Sequence, residues 1–137
     1  MNPRVYQLSG FAVPEGLEAL HELLARAAEE NPAVPPNDVM LFETAVIEIA
    51  NNVVEHGVPE GGVRWTFLLE VSPGRLAAVL TDSGAEFRGA LDASLPDDPL
   101  SDSGRGFALA QATLDELTYT RSEDANHWRM VRRLGGP

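Results

Sequence analysis

Three groups of residues in this chain have types and spacings suited to phosphate chemistry. The first is Glu48, Asn52 and His56, four apart in series within FETAVIEIANNVVEH. On a helix they stand on successive turns of one face. Glu48 could serve as a general base, and partial burial there would raise its basicity toward neutrality. Asn52 offers a neutral oxygen to a hard cation such as Mg²⁺, which keeps most of its waters and shares phosphate oxygens. His56 reads as structural, since a His just before Gly57 suits the C-terminal end of a helix dipole. A helical wheel sets Val39, Phe42, Val46, Ile49, Ala50 and Val53 on one side and Thr44, Glu48, Asn51, Asn52, Glu55 and His56 on the other. The polar stripe contains no Lys or Arg from Pro35 to Gly61, and Leu41 and Ala45 share the side of Glu48. A pocket wall has that composition. A merely polar helix face would show the same spacing, and the spacing alone does not separate the two.

The second group is Thr81-Asp82-Ser83-Gly84. An Asp at the end of a buried strand, with a Gly that admits close backbone approach, could accept a hydrogen bond from an exocyclic amine such as that of adenine. An ordinary turn has the same residues. The third is Ser103-Gly104-Arg105-Gly106, expected as a glycine loop directly before a helix beginning at Gly106. Free backbone N–H groups at a helix N-terminus attract anions, and Arg105 adds charge. No Gly-Lys-Ser/Thr follows, so this is not a P-loop.

These groups need elements to hold them. Arg4 to Val13 reads as a strand. Pro14 opens a helix with Leu17, Leu20, Leu23, Leu24 and Ala27 on one face. The prolines after Asn31 end it, and a longer helix runs from Asn37 or Asp38 to His56. Val63, Trp65, Phe67, Leu69 and Val71 alternate along a strand. Ser72-Pro73-Gly74 turns it into a second strand, Leu76 to Thr81, apolar on both faces and so central. Residues 85–103 are acidic and rich in Pro and Ser, with the length of a functional lid. A short helix to Leu117 and a closing hairpin, Thr118–Ser122 with His127–Arg133, complete the chain. Antiparallel pairs with few crossovers predict an α+β fold: two layers, a mixed and mostly antiparallel sheet with helices on one face, in a single domain over 1–137. Trp65 and Trp128 are assigned to core packing.

The bulk properties narrow the partners. The chain has 137 residues, a net charge of −11 and no cysteine. Such acidity repels nucleic-acid backbones and anionic lipid, so neither is expected as a partner. Without cysteine there is no disulfide framework and no thiol nucleophile. No apolar run approaches the roughly 20 residues of a spanning helix, and the N-terminus lacks a signal-peptide core. The expected location is the cytoplasm.

In order and at these distances, the three groups resemble the motifs of the GHKL (Bergerat-fold) ATPase and kinase superfamily, and within it the RsbW-like anti-sigma factor serine/threonine kinases. Glu48-Ile-Ala-Asn-Asn52-Val-Val-Glu-His56-Gly57 resembles the N box, Asp82-Ser83-Gly84 the G1 box and Gly104-Arg105-Gly106-Phe-Ala-Leu the G2 box. Asn126-His-Trp-Arg-Met-Val-Arg-Arg resembles the last strand. The resemblance implies a Mg-ATP site, with Glu48 as base, Asn52 on Mg²⁺, Asp82 and Gly84 at adenine, and Gly104, Arg105 and Gly106 at the phosphates. It further implies a homodimer that phosphorylates a Ser or Thr of an antagonist protein and sequesters a sigma factor. Three features depart from the family pattern. Glu86 stands where many relatives have a second glycine, the lid has Arg88 as its one basic residue before Arg105, and the last strand lacks a Gly-Thr pair. They leave open a second reading, a non-catalytic nucleotide-dependent binding module. A third, a detached histidine-kinase domain using His21, lacks the proline and dimerisation hairpin that should accompany it.

Overall fold

The computed structural model describes residues 4–87 and 102–134, with the backbone alone for 102–107. Eight elements follow in chain order: β1 (Arg4–Phe11), α1 (Pro14–Glu30), α2 (Pro36–His56), β2 (Arg64–Ser72), β3 (Arg75–Asp82), α3 (Asp102–Thr113), β4 (Glu116–Ser122) and β5 (Ala125–Arg133). The strands form one sheet in the order β1-β2-β3-β5-β4. The fold is α+β, as the sequence predicts. Where the pattern left room for a mixed sheet, every pairing is antiparallel. The reason lies in the route from β3 through α3 to β4. Those two strands run the same way, but β5 returns between them and separates them.

The alternation in β2 buries Trp65, Phe67, Leu69 and Val71 toward the helices, since successive side chains leave a strand on opposite faces. β3 contributes Leu76, Ala78 and Leu80 to the same layer. Asp82 continues that register, so a carboxylate ends the row of apolar side chains. α1 buries Leu20, Leu23, Leu24 and Ala27, and α2 buries Phe42, Ala45, Val46, Ile49, Ala50 and Val53. These join the strand residues in one core cluster. Fully burying a Phe or Ile of this kind stabilises the fold by about 1.5–3 kcal/mol.

Both ends of α2 are fixed. Near its start, Asp38 Oδ1 accepts from Arg132 Nε at 2.9 Å and pairs with Nη2 at 2.8 Å, while Arg132 Nη1 donates to Thr113 O at 2.5 Å. One guanidinium thus joins α2, the end of α3 and β5. At the other end Gly57 N–H donates to Val53 O at 2.8 Å. Gly57 has φ −66°, so it is not there for a left-handed turn. It is needed for space: a Cβ would lie 2.5 Å from Val53 O and 3.1 Å from Val63 Cγ2.

The expected lid lies mostly outside the described residues, Arg88 included. α3 starts at Asp102 and not at Gly106, and it ends at Thr113 and not at Leu117. The Asp-Ser pair at 102 and 103 is of the type that begins helices. Its end is set by strand pairing, since Asp115 N–H donates to Val131 O at 2.8 Å and Glu116 opens β4. Among the described residues no helix is long and apolar enough to cross a membrane.

Candidate functional site

The polar stripe of α2 runs from the surface into the interior. Glu48 is half-buried, whereas Asn52 is 3 % exposed. Asn52 Nδ2 donates to Glu48 O one turn back at 3.2 Å, and its Oδ1 is buried without a hydrogen-bond partner among the described residues. Leaving such an acceptor unpaired costs about 1–3 kcal/mol, so the position favours a ligand that brings a donor or a cation. Beyond it Asn51 donates to Glu55 Oε1 at 3.1 Å, Glu55 pairs with His56 at 3.6 Å, and the His56 ring meets the edge of Phe87 at 6.3 Å.

On its other flank Glu48 joins His21, Glu43, Thr44 and Ile47 around a cavity of about 220 Å³ between α1 and α2. Burial raises the Glu43 carboxyl above its ordinary value of 4.5, and His21 partly opposes the rise. The sequence reading did not single out Glu43. Five residues from Glu48, it stands about 140° away around the helix, off the i, i+4 ladder that the sequence reading followed.

Asp82 is held on both oxygens. Oδ1 accepts from Gly84 N–H at 2.9 Å and from Asn126 Nδ2 at 2.8 Å, and Oδ2 accepts from the Trp128 indole N–H at 2.9 Å. Asn126 also donates to Ala85 O at 2.9 Å and Gly84 O at 3.3 Å. It accepts from Arg121 Nη1 at 3.1 Å and from the Tyr119 hydroxyl. Arg121 reaches Gly84 O at 2.6 Å, and Phe87 N–H donates to Tyr119 at 2.8 Å. The Asp-Ser-Gly turn is therefore clasped by the β4–β5 hairpin. Asn126 is 2 % exposed and Trp128 0 %, so the expected burial of Trp128 is met. Its polar contact with Asp82 and the part played by Asn126 were not anticipated. The one available signal was Asn126 and Trp128 two apart on a strand that ends in a hairpin, which puts both on the same sheet face.

The Asp82 turn and the end of α2 meet at Val63. A Cβ on Gly84 would lie 3.0 Å from Asp82 Oδ1 and 3.3 Å from Val63 Cγ2, the same methyl that crowds Gly57. Ala85 N–H donates to Val58 O at 3.0 Å, and Ser83 exchanges two hydrogen bonds with the Arg64 backbone at 2.9 and 2.8 Å. The structure thus brings the N-box-like helix and the G1-like turn together. Glu86 is exposed.

The glycine segment differs from its expectation. Gly104, Arg105 and Gly106 belong to α3, which packs on α2, and are not a loop preceding a helix. The first four N–H groups of a helix lack intrahelical partners. Those of 102–105 can therefore face an anion, whereas Gly106 falls just beyond. The Arg105 side chain lies outside the described part.

Among the described residues no three His, Asp or Glu cluster to hold a metal. The donor set fits Mg²⁺ only in the way that ion is usually bound, through one protein oxygen together with water and phosphate. Asn52 Oδ1, buried and without a hydrogen-bond partner among the described residues, is an oxygen that could serve in that way.

Comparisons with known proteins agree with this arrangement. Sequence comparison with curated proteins yields no match. Among solved structures, the RsbU and RsbW domains of Rv1364c from Mycobacterium tuberculosis superpose with a TM-score of 0.70 at 17% identity, over 98% of this chain and 33% of that one. The histidine kinase domain of a blue-light activated histidine kinase from Erythrobacter litoralis gives 0.58 at 18% identity, over 84% of this chain and 61% of that one. The chain thus spans one third and about three fifths of those two structures, and at such identities the likeness establishes the fold. A family model described as the histidine kinase-like ATPase domain matches residues 12–132, and the chain belongs to that family.

Proposed function

We propose that this chain binds Mg-ATP and transfers its γ-phosphoryl group to a Ser or Thr hydroxyl of an antagonist protein, in the manner of RsbW-like kinases. The observation that carries this reading is the buried, unpaired Asn52 Oδ1 one turn from Glu48. In this reading Glu48 accepts the proton of the attacking hydroxyl. A new O–P bond forms, the bond from the γ-phosphorus to the bridging oxygen breaks, and ADP leaves. Mg²⁺ supplies charge neutralisation at the phosphates when bound, with Asn52 Oδ1 as its protein ligand. The N–H groups at the start of α3, which have no partner within the helix, cradle the phosphates, and Asp82 with Gly84 faces the adenine. Phosphoryl transfer depends mainly on positioning and charge, so this modest set of groups suffices. The family and the RsbW-domain superposition support a regulatory partner. A sigma factor, a homodimeric state and a cytoplasmic setting belong to the same proposal.

The departures at Glu86 and in a lid whose one basic residue before Arg105 is Arg88 motivate the alternative of a non-catalytic, nucleotide-dependent module. The test is a thermal-shift titration with ATP and ADP, each with and without Mg²⁺, followed by phosphorylation of the cognate antagonist. Stabilisation should need Mg²⁺ and vanish in Asn52→Ala. Tight binding without phosphoryl transfer to the true partner would select the module. No shift at millimolar nucleotide would remove both readings.

A further inference from the structure

Resting on the nucleotide reading, we propose that Trp128 is a specificity-determining gate at the base end of the site, competing with the ligand's exocyclic amine for Asp82. A carboxylate has about four lone-pair positions. Oδ1 has both of its positions filled by Gly84 N–H and Asn126 Nδ2, and Oδ2 has one filled by the Trp128 indole. A donor that reaches Asp82 must therefore take the one open position on Oδ2, beside the indole N–H that already draws on that oxygen.

The two side chains differ in how firmly they are tied. Asn126 makes five hydrogen bonds to Asp82, Gly84, Ala85, Arg121 and Tyr119. Moving it would break the turn itself. Trp128 is fully buried and meets Asp82 from within a row of rings. Its indole lies 4.6 Å from Tyr119 and 5.2 Å from Phe87, and Phe87 in turn meets His56 at 6.3 Å. Asp82 is itself 3 % exposed. An incoming base has to open this aromatic row to reach Oδ2, and the indole N–H then shares or yields its acceptor. An oxygen that already accepts from the indole is a weaker acceptor for a second donor, so the gate lowers affinity for a base whose amine stands where adenine carries its own. A base with a carbonyl in the corresponding position gains nothing at all, because a carboxylate cannot donate to it.

Trp128→Phe keeps an aromatic ring and removes the competing N–H. A hydrogen bond to a charged group contributes about 1.5–3 kcal/mol. Affinity for Mg-ATP, measured by isothermal titration calorimetry on the full chain, should therefore rise by about tenfold or more. Affinity for Mg-GTP should not rise, so discrimination between the two should widen by the same factor. Adding Asp82→Asn to Trp128→Phe should abolish the gain. An unchanged or weakened ATP affinity in a folded Trp128→Phe protein would overturn the gate while leaving nucleotide binding intact. ATP binding that appears only in Trp128→Phe would support it. If neither protein binds ATP, the gate and the nucleotide reading fall together. A second measurement keeps Trp128 in place. In 5-fluorotryptophan-labelled protein, with Trp65 assigned through Trp65→Phe, saturating Mg-ATP should shift the Trp128 ¹⁹F resonance more than that of Trp65. A Trp128 resonance unmoved at saturation would overturn the proposal.

Discussion

Replacing Asn52 by Ala should leave the nucleotide-free protein at least as stable as the parent while removing its response to Mg-ATP. The sign is unusual for a buried side chain and follows from its bonding. Asn52 Oδ1 is buried and unpaired, a burden of about 1–3 kcal/mol that Ala does not carry. Ala also gains about 0.6 kcal/mol of helix propensity over Asn. Against this stand the Nδ2 bond to Glu48 O, worth about 1 kcal/mol, and a small void, costing about 0.5–1 kcal/mol. Glu48 O is not orphaned, because within α2 it still accepts the helical N–H of residue 52. The balance is a gain of about 0–2 kcal/mol. With 137 residues and an unfolding entropy of about 2.1 cal/mol/K per residue, 1 kcal/mol corresponds to about 3.5 °C. Differential scanning fluorimetry without nucleotide should show a Tm between unchanged and about 7 °C higher. At a Mg-ATP concentration 100 times the parent's Kd, the parent gains about 2.7 kcal/mol, or roughly 9 °C, and the variant should gain almost none of it. A fall of more than about 4 °C without nucleotide would refute the reasoning, because Asn52 would then be a structural residue with a partner. A retained Mg-ATP shift would refute its link to the site.

Glu48→Gln should lower the rate of phosphoryl transfer to the antagonist by about 10²–10⁴-fold, with ATP affinity by calorimetry nearly unchanged. Asn126→Ala removes five hydrogen bonds from a buried site and strands the Ala85 carbonyl. It should cost about 3–5 kcal/mol in urea unfolding, and a loss under 1 kcal/mol would show that the clasp contributes little. Glu43→Gln tests the raised carboxyl. An acid whose folded-state pKa is raised contributes stability that is full below its ordinary value of 4.5 and is lost as pH rises through the folded value. The substitution should therefore raise Tm by on the order of one to two degrees at pH 8 and leave it nearly unchanged at pH 4. An equal gain at both pH values would point to packing rather than ionisation.

The elements carrying the chemistry were readable in the residues for different reasons. In α2 the i, i+4 spacing named the helix, but of its polar stripe Asn52 alone is buried, while Glu48 is half-buried and Glu55 and His56 are exposed. The strict alternation of β2 named its inner face, and an apolar sequence on both faces put β3 in the middle of the sheet. The Asp82 turn was half legible. Its position at the end of a buried strand follows from local sequence. Its partners Asn126 and Trp128 lie 44 and 46 residues away and arrive only through the β3–β5 register, which pairs Asp82 with Asn126 and Leu80 with Trp128. The glycine segment went the other way. Local rules treat two glycines as a loop, yet packing of α3 on α2 keeps them helical, the tertiary override to which propensity is always subject.

The concentration of long-range partners on β5 bears on when a nascent chain can work. Asp82 depends on Asn126 and Trp128, and the clamp on α2 depends on Arg132, 94 residues from Asp38. During synthesis α2, β2 and β3 leave the ribosome well before any of these partners exist. With β1-β2-β3 alone, the inner side of β3 has no neighbour on one edge and the Asp82 carboxylate has no clasp. Domains generally complete folding as units, and here the unit closes only when β5 slots between β3 and β4. A ribosome-bound intermediate that already displays Glu48 and Asn52 therefore still lacks the support of the base end of the site, so it should not capture nucleotide or partner before translation has passed β5.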